Sequence, residues 1–161
     1  MAASAGILMY RRGGDTLEVL LVHPGGPFWR RRDRGAWSIP KGELTPGASA
    51  EATARREFGE ELGREPAGTL ILLGTVRQRG GKTVTAFAVE GAFDPATQCS
   101  NRFDLEWPPH SGRIQSFPEV DRAAWFTLAE AREKILDSQQ PLLDLLASHL
   151  ERSEMPPPPP R

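Results

Sequence analysis

Glu57, Glu60 and Glu61 stand in the stretch RREFGEELG. On a helix, spacings of three and four residues put all three carboxylates on one face. Like charges that close together repel, and the repulsion turns into a gain when a cation lies between them. Hard oxygen donors in such a cluster suit Mg2+ or Mn2+. Taken alone, the stretch would also serve as a solvated glutamate-rich helix face. The preceding loop shifts the balance. In WSIPKG, residues 37–42, Lys41 and Gly42 directly follow Pro40, and Gly47 allows close backbone approach before the helix. A loop of this kind offers backbone N–H groups and one ammonium to a phosphate. Phosphate, divalent cation and acidic helix then form one chemical unit.

The elements around this unit can be read from pattern. Ser49 is a suitable N-cap for a helix over Ala50–Leu62, with Gly63 at its C-cap. Ala54, Phe58 and Leu62 give that helix an apolar side to lay on a sheet. Ala5–Tyr10 and Leu17–His23 are apolar runs of strand length on either side of the turn RGGDT. Trp37–Ile39 predicts a brief strand ended by Pro40. Thr69–Arg79 and Lys82–Glu90, joined by Gly80-Gly81, predict a hairpin. Arg102–Trp107 reads as a strand broken by Pro108–Gly112, and Ala124–Phe126 as a last short strand. Leu128–Ile135 and Pro141–Leu150 are helical, the second with a stripe at Leu142, Leu145, Leu146 and Leu150. This order predicts an α/β domain with a mixed sheet flanked by helices over residues 1–150. Residues 151–161, with five consecutive prolines, predict a flexible, proline-rich tail.

Within this frame the sequence resembles the Nudix hydrolase family. Gly42 matches the start of the family box, and Arg56, Glu57, Phe58, Glu60, Glu61 and Gly63 match its core at the family spacing. The lead-in WSIPKGE is also similar. The resemblance implies a Nudix-type α/β/α sandwich and a metal-dependent hydrolase that cleaves a nucleoside diphosphate linked to another group. It implies Glu57, Glu60 and Glu61 as ligands of Mg2+ or Mn2+. The resemblance further implies that Glu60 or Glu61 orients or deprotonates water and that Arg56 supports the carboxylates. Two positions depart from the box: Ala48 replaces a glutamate and Arg64 replaces an apolar residue. Ala48 implies fewer or weaker metal contacts, or a substitute carboxylate such as Glu43. In some members the base lies outside the box, and Glu106, Glu119 and Asp121 are the residues here with the right chemistry.

The substrate side rests on Lys41 and Gly42 for the phosphates, on Arg32 within the basic run Arg30–Arg34 for a remoter phosphate, and on Trp107 for stacking a base. Each has a plainer reading, as a solvated basic loop or a hinge tryptophan. Trp37 is expected to pack beneath the box and Trp125 in the core. His23, His110 and His149 form no close metal cluster in sequence. The lead-in and arginine loop are more similar to the diadenosine-polyphosphate branch, with ADP-ribose or NTP hydrolysis and a catalytically weak nucleotide-binding role as alternatives.

The whole chain narrows the classes further. Of its 161 residues 20 are Lys or Arg and 21 Asp or Glu, for a net charge of -1. That balance gives no general attraction to nucleic acid or to an anionic membrane, so any anion site is local. The single cysteine, Cys99, excludes an intrachain disulfide and a thiolate zinc site. MAASAGILMYRR is too short in apolar residues for a signal sequence or membrane span, which leaves the cytoplasm as the expected location. A nucleotide-type small molecule is the expected partner, with a homodimer and an SH3-like partner for the proline run as further expectations.

Overall fold

GILMY and LEVLLVH become strands buried on both faces. In the computed structural model, which describes residues 3–154, they form β1 (Ala3–Gly13) and β2 (Thr16–Pro24). Chain order continues with β3 (Lys41–Glu43), α1 (Ala50–Leu62), β4 (Ile71–Arg77), β5 (Thr83–Glu90), β6 (Arg102–Glu106), β7 (Ile114–Pro118), β8 (Val120–Thr127), α2 (Leu128–Lys134) and α3 (Gln140–Glu154). The main sheet runs β4-β5-β1-β2-β8, with β3 also paired to β1. β1 and β5 are parallel and the other pairs antiparallel, so the sheet is mixed.

Alternation along the strands divides the core in two. Ile7, Met9, Leu20 and Val22 meet Ala54, Phe58 and Leu62 of α1. Leu8, Val19 and Leu21 meet Ile135, Leu142, Leu143 and Leu146 on the other face. Two-sided burial explains the near-continuous apolar runs. The result is the expected α/β/α sandwich.

One irregularity of this sheet builds the site. β1 pairs with β2 only over Tyr10–Gly13, and the same edge of β1 pairs with β3 over Ser4–Gly6. Between these pairings β2 diverges toward β8, and residues 37–43 enter the gap. Ser38 exchanges backbone hydrogen bonds with Val22 at 2.8 and 3.0 Å, and the Ile7 N–H donates to the Pro40 carbonyl at 3.1 Å. Gly6 is required at this crossing, since a Cβ there would lie 2.5 Å from the Pro40 carbonyl oxygen.

Several sequence expectations are corrected. Trp37–Ile39 makes isolated bridges to Val22 and Ile135 rather than a strand, because its neighbours reach it one residue at a time. Pro108–Gly112 follows the end of β6 at Glu106, as expected, but the sheet does not stop there. This segment lies in the turn region of a second hairpin, whose return strand β7 was not anticipated because Ile114, Gln115 and Ser116 are all exposed and carry no alternation. α3 continues through residues 151–154, four residues into the expected tail, with Leu150 buried and no Gly or Pro to stop it. The proline run itself lies outside the described residues. Trp37 is buried, but in the core opposite α1, and Trp125 is half-buried with its N–H on the Phe93 carbonyl at 2.8 Å.

Candidate active site

α1 starts and ends where its sequence signals stand. The Ser49 hydroxyl accepts the Ala52 N–H at 3.1 Å, and Gly63 closes the helix in the left-handed region at φ 98°. Burial of Ala54, Phe58 and Leu62 against β1 and β2 leaves Glu57 and Glu61 facing the 37–43 loop, while Glu60 pairs with Arg56. Two contacts lock helix and loop together. The Lys41 N–H donates to Glu61 Oε2 at 3.1 Å. Gly42 faces Glu57 so closely that an added Cβ would stand 2.0 Å from the Glu57 carboxylate carbon. Glycine at 42 is therefore a seat for a carboxylate. The Lys41 amide is already engaged by Glu61, whereas the sequence had suggested it for a phosphate.

The loop is held from beneath by a residue that pattern reading missed. Gln139 is fully buried; its Oε1 accepts the Ile39 N–H at 3.0 Å and its Nε2 donates to Ser38 Oγ at 3.0 Å. A glutamine between two helices carries no signal of this role in sequence, because its partners lie a hundred residues away.

Electrostatically the helix face is strained. Burial, followed by the neighbouring Glu60, raises the Glu57 carboxyl above its ordinary value, and Arg56 opposes this. Arg56 reaches Glu57 at 3.4 Å and Glu60 at 3.6 Å. Glu61 is pushed up to about 8, first by burial and then by Glu57; the Lys41 N–H and ammonium pull the other way. Glu119 acts on both Glu57 and Glu61 in the same direction as their mutual repulsion.

Glu119 is thus the fourth carboxylate of the site. It lines a cleft of about 210 Å3 together with Lys41, Glu61, Ser38 and Trp29. Its backbone is clamped by Gly25, whose N–H donates to the Glu119 carbonyl at 2.9 Å, and by the Asn101 carbonyl, which accepts the Glu119 N–H at 2.8 Å. Asn101 in turn donates to the Glu60 carbonyl at 2.9 Å, and Gln98 Nε2 bridges the carbonyls of Glu61 and Val120 at 3.0 and 3.1 Å. Segment 98–101 therefore ties the end of the acidic helix to the strand that follows Glu119. The other two carboxylates outside the box are occupied elsewhere. Glu106 accepts the His110 N–H at 2.8 Å in the hairpin turn, and Asp121 Oδ1 lies 2.8 Å from His23 Nδ1. Glu43 is exposed at the end of β3, and Ala48 sits in the exposed turn before α1.

Among the described residues no three His, Cys, Asp or Glu side chains are gathered into a ready-made metal site. The donor set nevertheless fits a hard divalent cation. Its oxygens repel one another, two of its carboxyls are raised, first by burial and then by that crowding, and Gly42 leaves room for one of them against the backbone. Of the other expected residues, Arg32 and Trp107 do not line the Glu61 cleft. Arg32 lines a second cleft and lies 5.6 Å over the Trp29 ring. Trp107 stands edge-on to Phe28, ring centroids 5.2 Å apart. Arg64, the departure from the box, covers the Phe93 ring at 5.1 Å.

The family profile of the NUDIX domain matches residues 1–146. The chain belongs to the Nudix family. Among solved structures it is similar to the Ap4A hydrolase of C. elegans in a binary complex, at 22% identity and a TM-score of 0.63, over 92% of this chain and 98% of that one. It is also similar to the NUDIX domain of Shewanella oneidensis NrtR complexed with ADP ribose, at 19% identity and a TM-score of 0.62, over 92% and 87%. The E. coli ORF135 protein follows at 20% identity and 0.59, over 97% and 95%. At these identities the likeness is one of fold. No curated protein matches the chain in sequence. As a Nudix pyrophosphohydrolase the protein carries its box on the loop–helix lock described above. Nudix hydrolases generally use divalent metal ions, in keeping with the donor chemistry of α1. Among the described residues no helix is long and apolar enough to cross a membrane.

Proposed function

We propose that this Nudix enzyme cleaves a pyrophosphate bond in a nucleoside diphosphate linked to another group, with a dinucleoside polyphosphate such as Ap4A as the preferred substrate. The observation that carries the reading is the lock between Gly42, Lys41 and the carboxylates of Glu57 and Glu61, with Glu119 beside them. Glu57, Glu60 and Glu61 would hold Mg2+ or Mn2+, and Arg56 keeps Glu57 and Glu60 in place. When bound, the cation neutralises phosphate oxygens and makes water more acidic. Lys41 sets an ammonium at the cleft for a substrate phosphate. Glu119 stands apart from the helix and takes the proton of the attacking water. Arg32 grips a phosphate remote from the cleaved bond, and Trp107, with Phe28, offers aromatic surface to a base. The cytoplasm is the proposed setting. The domain spans residues 1–150 with the helix end beyond it, and a homodimer and an SH3-like partner for the proline run complete the proposal.

The absence of a carboxylate at Ala48 favours a second reading, a catalytically weak nucleotide-binding protein. A panel of Ap4A, ATP and ADP-ribose with Mg2+ or Mn2+, products read by mass, separates the two. Metal-dependent cleavage with highest kcat/KM on Ap4A is expected. Arg32→Ala should lower kcat/KM for Ap4A more than for ADP-ribose, by about tenfold for one charge-assisted contact. No turnover on any substrate would leave the binding reading, and equal ratios would remove Arg32 from the substrate site.

A further inference from the structure

A second, larger cleft of about 540 Å3 opens at the outer edge of β8. It is divided from the acid-lined cleft by the inserted loop, since Trp37 lines the larger cleft while Ala36 and Ser38 line the smaller one. The larger cleft collects Arg30, Arg31, Arg32, Arg122 and Lys134. Its two acids, Asp33 and Asp121, are already committed. Asp33 accepts the Trp37 Nε1–H at 2.8 Å and pairs with Lys134. Asp121 faces His23, which is fully buried and whose Nε2 donates to the Arg32 carbonyl at 2.6 Å. This buried ring thus fastens the arginine loop to β8. Arg122 lies over Trp37, 5.2 Å from the ring centroid, and 3.8 Å from Asp121. Among the described residues no carboxylate pairs with the guanidinium of Arg30, Arg31 or Arg32.

In a chain of net charge -1, five cations against two acids around one concave surface, three of the guanidiniums without a carboxylate partner, call for an anion. Several guanidinium forks converging from a loop and a strand suit phosphate oxygens, which accept paired N–H donors. We propose that the cleft between the arginine loop and the outer edge of β8 binds a polyphosphate group through Arg30, Arg31 and Arg122. The site does not depend on hydrolysis. Only the source of the anion, free polyphosphate or the distal phosphates of a substrate, rests on the proposed function.

The test is a calorimetric titration of the full chain with inorganic tripolyphosphate in EDTA, at low and at high KCl. Saturable one-to-one binding that weakens with salt is expected. Arg30→Glu with Arg31→Glu, two exposed side chains, should weaken it by about a hundredfold, two charge-assisted contacts at about tenfold each, with an unchanged melting curve. Glu57→Gln should leave it intact while removing hydrolysis, so the two readings fail separately. Absence of saturable binding at low salt, binding indifferent to the double substitution, or its loss in Glu57→Gln would overturn the proposal. The source follows from kinetics in the double variant. KM raised for Ap4A but not for ADP-ribose marks the substrate's own phosphates. Unchanged KM values, with tripolyphosphate not competing with substrate, mark a free polyanion.

Discussion

The two clefts on either side of Trp37 gather opposite charge by different means. The acid cleft crowds carboxylates by backbone interlock: Lys41 N–H on Glu61, Gly42 against Glu57, and segment 98–101 fixing Glu119 to the helix end. The basic cleft hangs on one buried side chain, His23, between Asp121 and the arginine loop. The first is built where one side of α1 is buried in the core, which fixes the backbone positions that carry its carboxylates. The second is built from exposed arginines whose heads stay in water. Crowded charge on a rigid element suits a small, hard ion, whereas crowded charge on a loop suits a larger anion.

Removing a carboxylate should break the acid cleft most severely. Glu60→Gln or Glu61→Gln is expected to lower kcat beyond the 10–100-fold typical of losing an outer partner of a metal ligand, which is about the least that a direct ligand should cost. Calorimetry with Mg2+ should show the affinity lost in parallel. If both variants bind Mg2+ as the parent does, the helix face is only solvated surface.

Gly42→Ala comes next and tests the interlock itself. The new methyl occupies the place of the Glu57 carboxylate, so that side chain must swing away. A displacement of this size is expected to reduce kcat by roughly a hundredfold. Thermal melts should barely change, because the displaced group is a flexible side-chain end. Full activity in Gly42→Ala would show that Glu57 does not need its seat.

Proton linkage gives a finer test. Glu61 is held at about 8 in the metal-free fold, so it keeps its proton at neutral pH while the unfolded chain has lost it. The sign is therefore that of a raised group: its contribution to stability is complete below the ordinary carboxyl range and is lost as pH rises to about 8. A cation must displace that proton. Mg2+ affinity should rise about tenfold per pH unit below 8 and level off above it, with about one proton released per ion at pH 6.5. Calorimetry in buffers of different ionisation enthalpy measures the release, and none at pH 6.5 would separate Glu61 from the metal site.

The smallest effect belongs to the basic cleft. Asp121→Ala leaves Nδ1 of a fully buried imidazole without its partner. A buried polar group left unpaired costs about 1–3 kcal/mol, which lowers Tm by roughly 2–10 °C in a chain of this size. Turnover of ADP-ribose should persist, because Asp121 is engaged away from the Glu61 cleft. Loss of all activity without loss of stability would instead place Asp121 in the chemistry.

The acidic helix was legible to the residue: cap, apolar side and carboxylate spacing are all local, and α1 spans the segment that the pattern predicts. β7 was not legible, because a solvated strand paired only to β6 needs no apolar alternation. The Trp37–Ile39 stretch looked like a strand but is an insertion wedge, whose form depends on β1 and β2 diverging. Glu106, Glu119 and Asp121 could not be ranked from sequence, since their worth depends on where hairpin β6–β7 delivers the chain.

By itself, then, the sequence determined the family box, the α/β class, the helix that carries the glutamates and the likeness to a pyrophosphohydrolase. Each rests on spacing within a few turns of chain, where geometry is fixed by the backbone. The tertiary structure alone decided that Gly42 seats Glu57, that Gln139 anchors the loop, that Glu119 joins the carboxylates, and that Arg32 faces a different cleft from Lys41. All four join residues that are distant in sequence, and only sheet pairing and the burial of both its faces bring them together.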